Sequence, residues 1–278
     1  MILRILPSPA QGKISVPASK SHTIRAIAFG SLASGESIIR NPLDSEDAHS
    51  AAAVYEALGA NITKQEGEWR VEGFGGLPSP PSRQIDVGNS GTTCRMGLGT
   101  AALLPEGEAR FDGDPQTRRR PMGPLLDALS DLGARAVSEN DDGRLPAKVS
   151  GPWLGGETQV DGTTSQYTSS LILNAPFGGG DSIIDPVDLN ERPYVDMTLW
   201  WLGKLGLSFE REGYEHFCVP GNQALSSFDM EVPADFSSAA FMVAAAALPS
   251  GDVLLEGLDM DDPQGDKAIL GMVARMGA

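Results

Sequence analysis

The chain has 278 residues, 41% of them apolar, with 37 acidic and 21 basic side chains and a formal net charge of −16. That charge opposes nonspecific attraction to nucleic acid or anionic membrane, and the length allows a sizeable core. Cys94 and Cys218 are too few for a disulfide framework and are expected to be reduced. The start, Met1-Ile2-Leu3-Arg4, lacks a signal-peptide pattern, and the longest apolar run, residues 239–248, is too short for a membrane span, so a cytoplasmic protein is expected.

In chain order, one event recurs about every 70 residues, a strand, a polar turn and an apolar helix, which is the mark of internal repeats. The turns are Ser19-Lys20-Ser21-His22-Thr23, Asn89-Ser90-Gly91-Thr92-Thr93, Gly162-Thr163-Thr164-Ser165-Gln166 and Asp235-Phe236-Ser237-Ser238. Each is rich in residues that cap helix N-termini, where unpaired N–H groups and a partial positive charge attract anions. Four such turns gathered at one cleft would suit a multiply charged anionic substrate.

After each turn a second apolar segment follows at helical spacing: Val54 and Leu58; Leu125, Leu129 and Leu132; Val195, Leu199 and Leu202; Ile269, Val273 and Met276. Each ends at a glycine suited to a left-handed C-cap, namely Gly59, Gly133, Gly206 and Gly277. Turns at Glu66-Gly67, Asp142-Gly143 and Glu212-Gly213 then lead into returning strands such as Trp69-Arg70-Val71 and His216-Phe217-Cys218-Val219. The unit reads as strand, helix, strand, turn, strand, and the fourth copy stops after its helix at Ala278.

Val16-Pro17-Ala18-Ser19 and Val232-Pro233-Ala234-Asp235 bracket the central block, and proline suits an extended crossover. The expected organisation is a complete three-repeat domain at 18–232 and an incomplete second domain formed by 1–17 and 233–278. Residues 236–248 are apolar on all sides, the pattern of a buried helix, with little nearby to bury them.

Basic side chains stand out against the acidic average. Lys20, Arg25, Arg95 and Arg120 sit beside the turns, and arginine suits bidentate binding of carboxylate or phosphate. Arg118 and Arg119 are read as ordinary surface residues. Gly88-Asn89-Ser90-Gly91-Thr92-Thr93 is not a nucleotide P-loop, lacking the Gly-Lys-Ser/Thr ending, although Gly91 would allow close backbone approach to a ligand. His22, His49 and His216 form no zinc spacing. Cys94 is read as a packed structural thiol, Asp44, Glu46 and Asp47 as helix-dipole partners, and Trp200 and Trp201 as core or interface.

Together, Ser19-Lys20-Ser21 with Arg25, Gly88-Asn89-Ser90-Gly91-Thr92 with Arg95, Arg120-Pro121-Met122-Gly123, Thr164-Ser165-Gln166, Arg192-Pro193-Tyr194-Val195-Asp196-Met197-Thr198 and Asp235-Phe236-Ser237-Ser238-Ala239 resemble the 5-enolpyruvylshikimate-3-phosphate synthase family. These stretches occur in family order along the whole chain. The related UDP-N-acetylglucosamine enolpyruvyl transferases are similar in fold but match the Ser-Lys-Ser and Arg-Pro-Tyr motifs less well.

The resemblance implies an α/β fold of inverse α/β repeats (strand-helix-strand-strand units). The implied reaction is transfer of an enolpyruvyl group from phosphoenolpyruvate to the 5-hydroxyl of shikimate 3-phosphate, in aromatic amino acid biosynthesis, with no metal or organic cofactor. It implies Lys20, Gly91, Arg120 and Gln166 for phosphoenolpyruvate, with Gln166 between the substrates. It implies Lys20, Ser21, Arg25, Thr164, Ser165, Gln166 and Tyr194 for shikimate 3-phosphate, and Asn89 and Arg95 as supports. Lys20 is the expected catalytic group, because an ammonium among anions can stabilise charge and move protons. Glyphosate, an inhibitor of the family at the phosphoenolpyruvate site, would find room beside unsubstituted Gly91.

One departure is Glu191, where relatives carry a serine near the shikimate phosphate. It is expected to turn away and pair with Arg192 or another cation, since a carboxylate beside phosphate repels it. The family's further acidic and basic catalytic groups belong to a C-terminal part that is absent here. The expected partner is therefore a complementary C-terminal polypeptide; the alternatives are a non-catalytic shikimate 3-phosphate-binding module or an inert fragment.

Overall fold

The computed structural model describes residues 10–248 and 251–277. The first nine residues of the expected 1–17 segment, and Ala278 at the end of the fourth repeat, lie outside these.

The first repeat runs α1 (Lys20–Leu32), β2 (Ser34–Arg40), α2 (Glu46–Ala57), β3 (Asn61–Gln65) and β4 (Glu68–Phe74), after a leading strand β1 (Gln11–Ser15). The second runs β5 (Ile85–Asp86), α3 (Gly91–Ala101), β6 (Ala109–Asp112), α4 (Gly123–Asp131), β7 (Arg135–Ser138) and β8 (Ala147–Ser150). The third runs β9 (Gly156–Asp161), α5 (Ser165–Asn174), β10 (Ser182–Val187), α6 (Arg192–Lys204), β11 (Glu210–Glu212) and β12 (His216–Val219). β13 (Asp229–Glu231), α7 (Phe236–Ala246), β14 (Asp252–Glu256) and α8 (Ala268–Arg275) follow.

Each repeat builds one four-stranded sheet, in the orders β13-β2-β4-β3, β5-β6-β8-β7 and β9-β10-β12-β11. In each, the first pair is parallel and the others antiparallel. The first repeat takes its parallel strand, β13, from far downstream. The fold is α/β with repeated units as expected, but each unit carries one helix more than strand-helix-strand-strand. It reads strand-helix-strand-helix-strand-strand, the second helix being the apolar segment whose residues fall at helical spacing.

The two helices of a unit do different work. Residues 22–32 of α1 are all buried, as are residues 93–101 of α3 and 167–174 of α5. Their sequences are rich in Ala, Gly, Ser and Thr, so they bury every face without a single apolar stripe. A Cβ on Gly97 would meet Val54 Cγ1 at 2.8 Å and Phe111 Cε1 at 3.1 Å, so α3 could not lie this close to its neighbours with a larger residue there. Several polar groups inside pair across the helices: Thr100 Oγ1 donates to Asn174 Oδ1 at 2.8 Å, and Ser170 Oγ to the Arg95 carbonyl at 2.6 Å. The outer helices α2, α4 and α6 keep one face exposed. Their C-caps at Gly59, Gly133 and Gly206 have φ of 113°, 101° and 74°, the left-handed region in which glycine ends a helix at least strain. Trp201 is fully buried and stacks on Phe29 at 6.0 Å, while Trp200 is half-buried.

The proline-containing crossovers lie side by side. Ala18 and Ala234 form an antiparallel bridge, with Ser19 N–H donating to the Pro233 carbonyl at 2.8 Å and Asp235 N–H to the Pro17 carbonyl at 2.9 Å. Beyond them β1 and β14 form a two-stranded parallel sheet, and Val16, Ala234 and Ala239 make a small separate core. Helix α7 buries only Phe236, Ala239 and Val243, and Phe241 is 82% exposed. No helix among the described residues is long and apolar enough to cross a membrane.

Candidate functional site

All four polar turns lie at helix N-termini, and three of them cap through a side chain. Ser19 accepts from His22 N–H at 3.5 Å on α1, Thr164 from Gln166 N–H at 3.4 Å on α5, and Asp235 from Ser238 N–H at 2.8 Å on α7. Ser90 occupies the cap position of α3 without making a side-chain cap bond. Its hydroxyl donates instead to Asp47 at 2.6 Å, leaving the α3 N-terminus open to a ligand.

The four N-termini meet at one cavity of about 440 Å³, whose walls include Lys20 and Ser21 of α1, Thr92 of α3, Ser165 and Gln166 of α5, and Ser237 and Ser238 of α7. Arg25, Glu191, Tyr194, Gln264 and Asp266 complete it. A second cavity of about 770 Å³ adjoins it, lined by Asp47, Asn89, Ser90, Gly91 and Arg120 among others. Lys20, Thr92 and Gln166 belong to both and form the shared wall.

Arg25 is 2% exposed and faces the first cavity. Its guanidinium donates to Thr198 Oγ1 and to the Tyr194 carbonyl, each at 2.9 Å, and to the Ser21 carbonyl at 3.1 Å. Burial lowers its pKa to about 10, partly opposed by Tyr194, so it is charged at neutral pH. It makes no ion pair among the described residues. A buried cation held only by neutral acceptors leaves positive potential directed at the cavity. Tyr194 is pushed above the ordinary phenol value by burial first and then by Asp266, Glu191 and Asp235, which keeps its hydroxyl protonated.

In the second cavity, Lys20 Nζ stands 3.8 Å from Asp47 Oδ2, a loose and half-exposed pair worth ~0–1 kcal/mol. Arg120 Nη2 donates to Asn89 Oδ1 at 3.1 Å, and Asn89 Nδ2 donates to Gln116 at 3.3 Å, which aims the guanidinium at Gly91. The Arg95 guanidinium donates to Gln166 Oε1 at 2.7 Å and to the Pro121 carbonyl at 3.0 Å, and lies over the Tyr167 ring. Cys94, next in line, is buried and its thiol is pushed up to about 12 by that burial, so it is inert at neutral pH.

Lys20, Gly91, Arg120 and Gln166 all line the second cavity, and Lys20, Ser21, Arg25, Ser165, Gln166 and Tyr194 all line the first. Thr164 does not reach either wall; its hydroxyl lies 3.5 Å from Glu191 on the rim.

Glu191 corrects an expectation. It does not turn away toward Arg192. Its carboxylate accepts from Ser165 Oγ at 3.0 Å and Ser165 N–H at 3.3 Å. The physical reason is that the α5 N-terminus draws the nearest anion, and a side chain of the molecule itself is always near. Arg118 is exposed at the surface as expected, where it forms a two-pronged ion pair with Asp112 at 2.7 and 2.6 Å.

Asp47, Gln264 and Asp266 are cavity-lining residues the sequence did not announce. Asp47 sits in the first turn of α2 as expected for a helix-dipole partner, and only the fold brings it to Lys20 and Ser90. Among the described residues no three His, Cys, Asp or Glu side chains converge so as to hold a metal ion.

Comparisons with known proteins identify the family. The sequence model of the EPSP synthase (3-phosphoshikimate 1-carboxyvinyltransferase) family matches residues 6–278. A 3-phosphoshikimate 1-carboxyvinyltransferase of Acetivibrio thermocellus is 49% identical over all of this chain, and one of Ruminiclostridium cellulolyticum is 45% identical. The chain spans 66% of the length of each. The solved EPSP synthase of Acinetobacter baumannii superposes with a TM-score of 0.86 at 26% identity, covering 99% of this chain and 61% of that one. The chain therefore belongs to the EPSP synthase family.

Proposed function

We propose that this chain supplies the shikimate 3-phosphate site, and one wall of the phosphoenolpyruvate site, of an enolpyruvyl transfer enzyme. Arg25 carries the proposal: a buried guanidinium with no acidic partner among the described residues, facing a polar cavity, calls for an anionic ligand. Ser21 and Arg25 take the shikimate carboxylate, Thr164 and Ser165 lie at the phosphate end, and Tyr194 forms the wall between. Phosphoenolpyruvate lies beside Lys20, Arg120 and the Gly91 backbone. Gln166, in the shared wall, sits between the two ligands, and Asn89 and Arg95 support them.

The 5-hydroxyl of shikimate 3-phosphate attacks C2 of phosphoenolpyruvate while C3 gains a proton. The hydroxyl proton leaves as the new C–O bond forms, and the tetrahedral intermediate then loses a proton from its C3 methyl together with inorganic phosphate, which restores the double bond of the enolpyruvyl ether. Lys20, reachable from both cavities, stabilises the anions and serves proton transfer.

Residues 18–232 form the binding domain in this scheme, and 1–17 with 233–278 begin a second. Turnover requires groups from the part of the relatives that these 278 residues do not match, supplied by a complementary C-terminal portion. The expected compartment is the cytoplasm, in keeping with two reduced thiols.

A coupled phosphate-release assay tests the scheme, with the chain alone and then mixed with a separately expressed C-terminal portion of a relative. Activity only in the mixture supports it. Full activity of the chain alone removes the need for a partner. Binding of shikimate 3-phosphate without turnover in either favours the second reading, a binding module, whose motive is that the shikimate-side residues are the more complete set.

A further inference from the structure

We propose that Glu191 is a specificity-determining residue at the phosphate end of the first cavity, holding as an internal anion the place that a ligand phosphate must take. The inference rests on the ligand assignment above.

Glu191 is the cap residue of α6, yet its side chain makes no cap bond to that helix. Its backbone has φ 51° and ψ 37°, the left-handed region that non-glycine residues rarely adopt. That conformation carries the carboxylate across to α5, where Ser165 gives it an N–H at 3.3 Å and an O–H at 3.0 Å, with the Thr164 hydroxyl at 3.5 Å. Ser165 is 1% exposed, so a ligand oxygen at that spot must share or replace the same two donors. Among the described residues Glu191 has no ion pair, and what holds it is the pair of donors a phosphate would use.

The site is an anion site on independent grounds, since Arg25 faces the same cavity, is nearly fully buried and has no acidic partner among the described residues. The α7 N-terminus is already occupied by its own acid, Asp235, whose carboxylate takes the Ser238 N–H and O–H. With Glu191 on α5, two of the four N-termini already hold a carboxylate of the chain itself. A phosphorylated ligand therefore gains little from its phosphate until Glu191 swings off, and the chain discriminates weakly between shikimate 3-phosphate and shikimate.

The test measures affinity for inorganic phosphate, shikimate 3-phosphate and shikimate in the full 278-residue chain and in Glu191→Gln, Glu191→Ser and Asp266→Asn variants. Glu191 is exposed, so both of its substitutions leave the core untouched. Phosphate and shikimate 3-phosphate are expected to bind about 10- to 100-fold more tightly in the Glu191 variants, the size of a regained charge-assisted contact. Shikimate is expected to be unchanged. Phosphate affinity that is unchanged, weaker or absent in the Glu191 variants overturns the proposal. An equal gain in Asp266→Asn also overturns it, because that result would mean general field relief rather than competition for Ser165. If inorganic phosphate tightens as expected while shikimate 3-phosphate binds none of the proteins, Glu191 stands as the competing anion and the ligand assignment falls.

Discussion

The Arg95 guanidinium donates to the Gln166 side-chain oxygen across 2.7 Å, tying α3 to α5 at the wall between the two cavities. Its other nitrogen reaches the Pro121 carbonyl, immediately after Arg120, so one buried side chain sets the position of groups on both sides. Arg95→Ala leaves these acceptors without their charged donor and opens a gap over Tyr167. A loss of ~2–4 kcal/mol in denaturant unfolding is expected, with Arg95→Lys between the two because lysine lacks the planar fork. Arg95→Ala within ~0.5 kcal/mol of wild type would show the link to be unimportant.

Gly91 has no left-handed backbone requirement, so what an added methyl meets decides the effect. A Cβ there lands against Arg120 Nη1 and lies 3.1 Å from Arg95 Nη1. Arg120 is half-buried and can swing aside, whereas Arg95 cannot. Gly91→Ala is therefore expected to change stability by less than ~1 kcal/mol while displacing the Arg120 guanidinium from the second cavity. In an active assembly with a C-terminal portion, it should raise the KM for phosphoenolpyruvate and weaken glyphosate inhibition together. Inhibition equal to that of the unsubstituted assembly would refute this placement of the ligand.

The repeat was legible in the sequence because both ends of its helices are written in local chemistry. Ser19, Thr164 and Asp235 cap through short side chains, and Gly59, Gly133 and Gly206 occupy left-handed C-caps. The polar turns also announced most of the site, since Lys20, Ser21, Gly91 and Gln166 sit on them. Long-range events left no local mark. Nothing near residues 229–231 says that this strand pairs with Ile38 to Arg40, and the polar loop carrying Asp262 and Gln264 reads as an ordinary surface segment. Glu191 departs from its expectation for a different reason: the positive end of α5, which nothing in the sequence near residue 191 reveals, attracts its carboxylate.

That polar loop makes the next prediction. Trp201 Nε1–H donates to His22 Nδ1 at 3.0 Å, and an indole nitrogen is only a donor, so the His22 proton sits on Nε2 and points to Asp262 at 3.1–3.3 Å. Both residues are buried. Burial raises the Asp262 pKa, but the hydrogen bonds from His22 and from the Gln264 N–H together hold the carboxyl below its ordinary value. A depressed carboxylate pKa contributes stability that is full above the unfolded value of about 3.9 and is lost as pH falls through the folded one. Asp262→Asn is expected to lower stability by ~1–2 kcal/mol at pH 7, with the difference shrinking below about pH 4. Urea unfolding at both pH values measures this. A difference of equal size at the two would show that the ionised carboxylate is not what holds the loop.

The face formed by α7, β14 and α8 supplies the last prediction. Val243, Leu255, Leu258, Leu270 and Val273 line an apolar groove of about 430 Å³, with Phe241 at 82% and Met276 at 84% exposure close by in the chain. Single exposed apolar residues mean little, but a contiguous groove with large flanking side chains marks a surface that gains free energy by being covered. The 278-residue chain is therefore expected to bind an apolar dye and to self-associate as its concentration rises. Sedimentation velocity should show this, and Phe241→Asp combined with Met276→Asp should return it to monomer. If the proposed complementary C-terminal portion packs on this face, adding it should suppress both dye binding and self-association in the unsubstituted chain. A chain that stays monomeric and dark to the dye at high concentration would mean that the groove is too shallow to drive association.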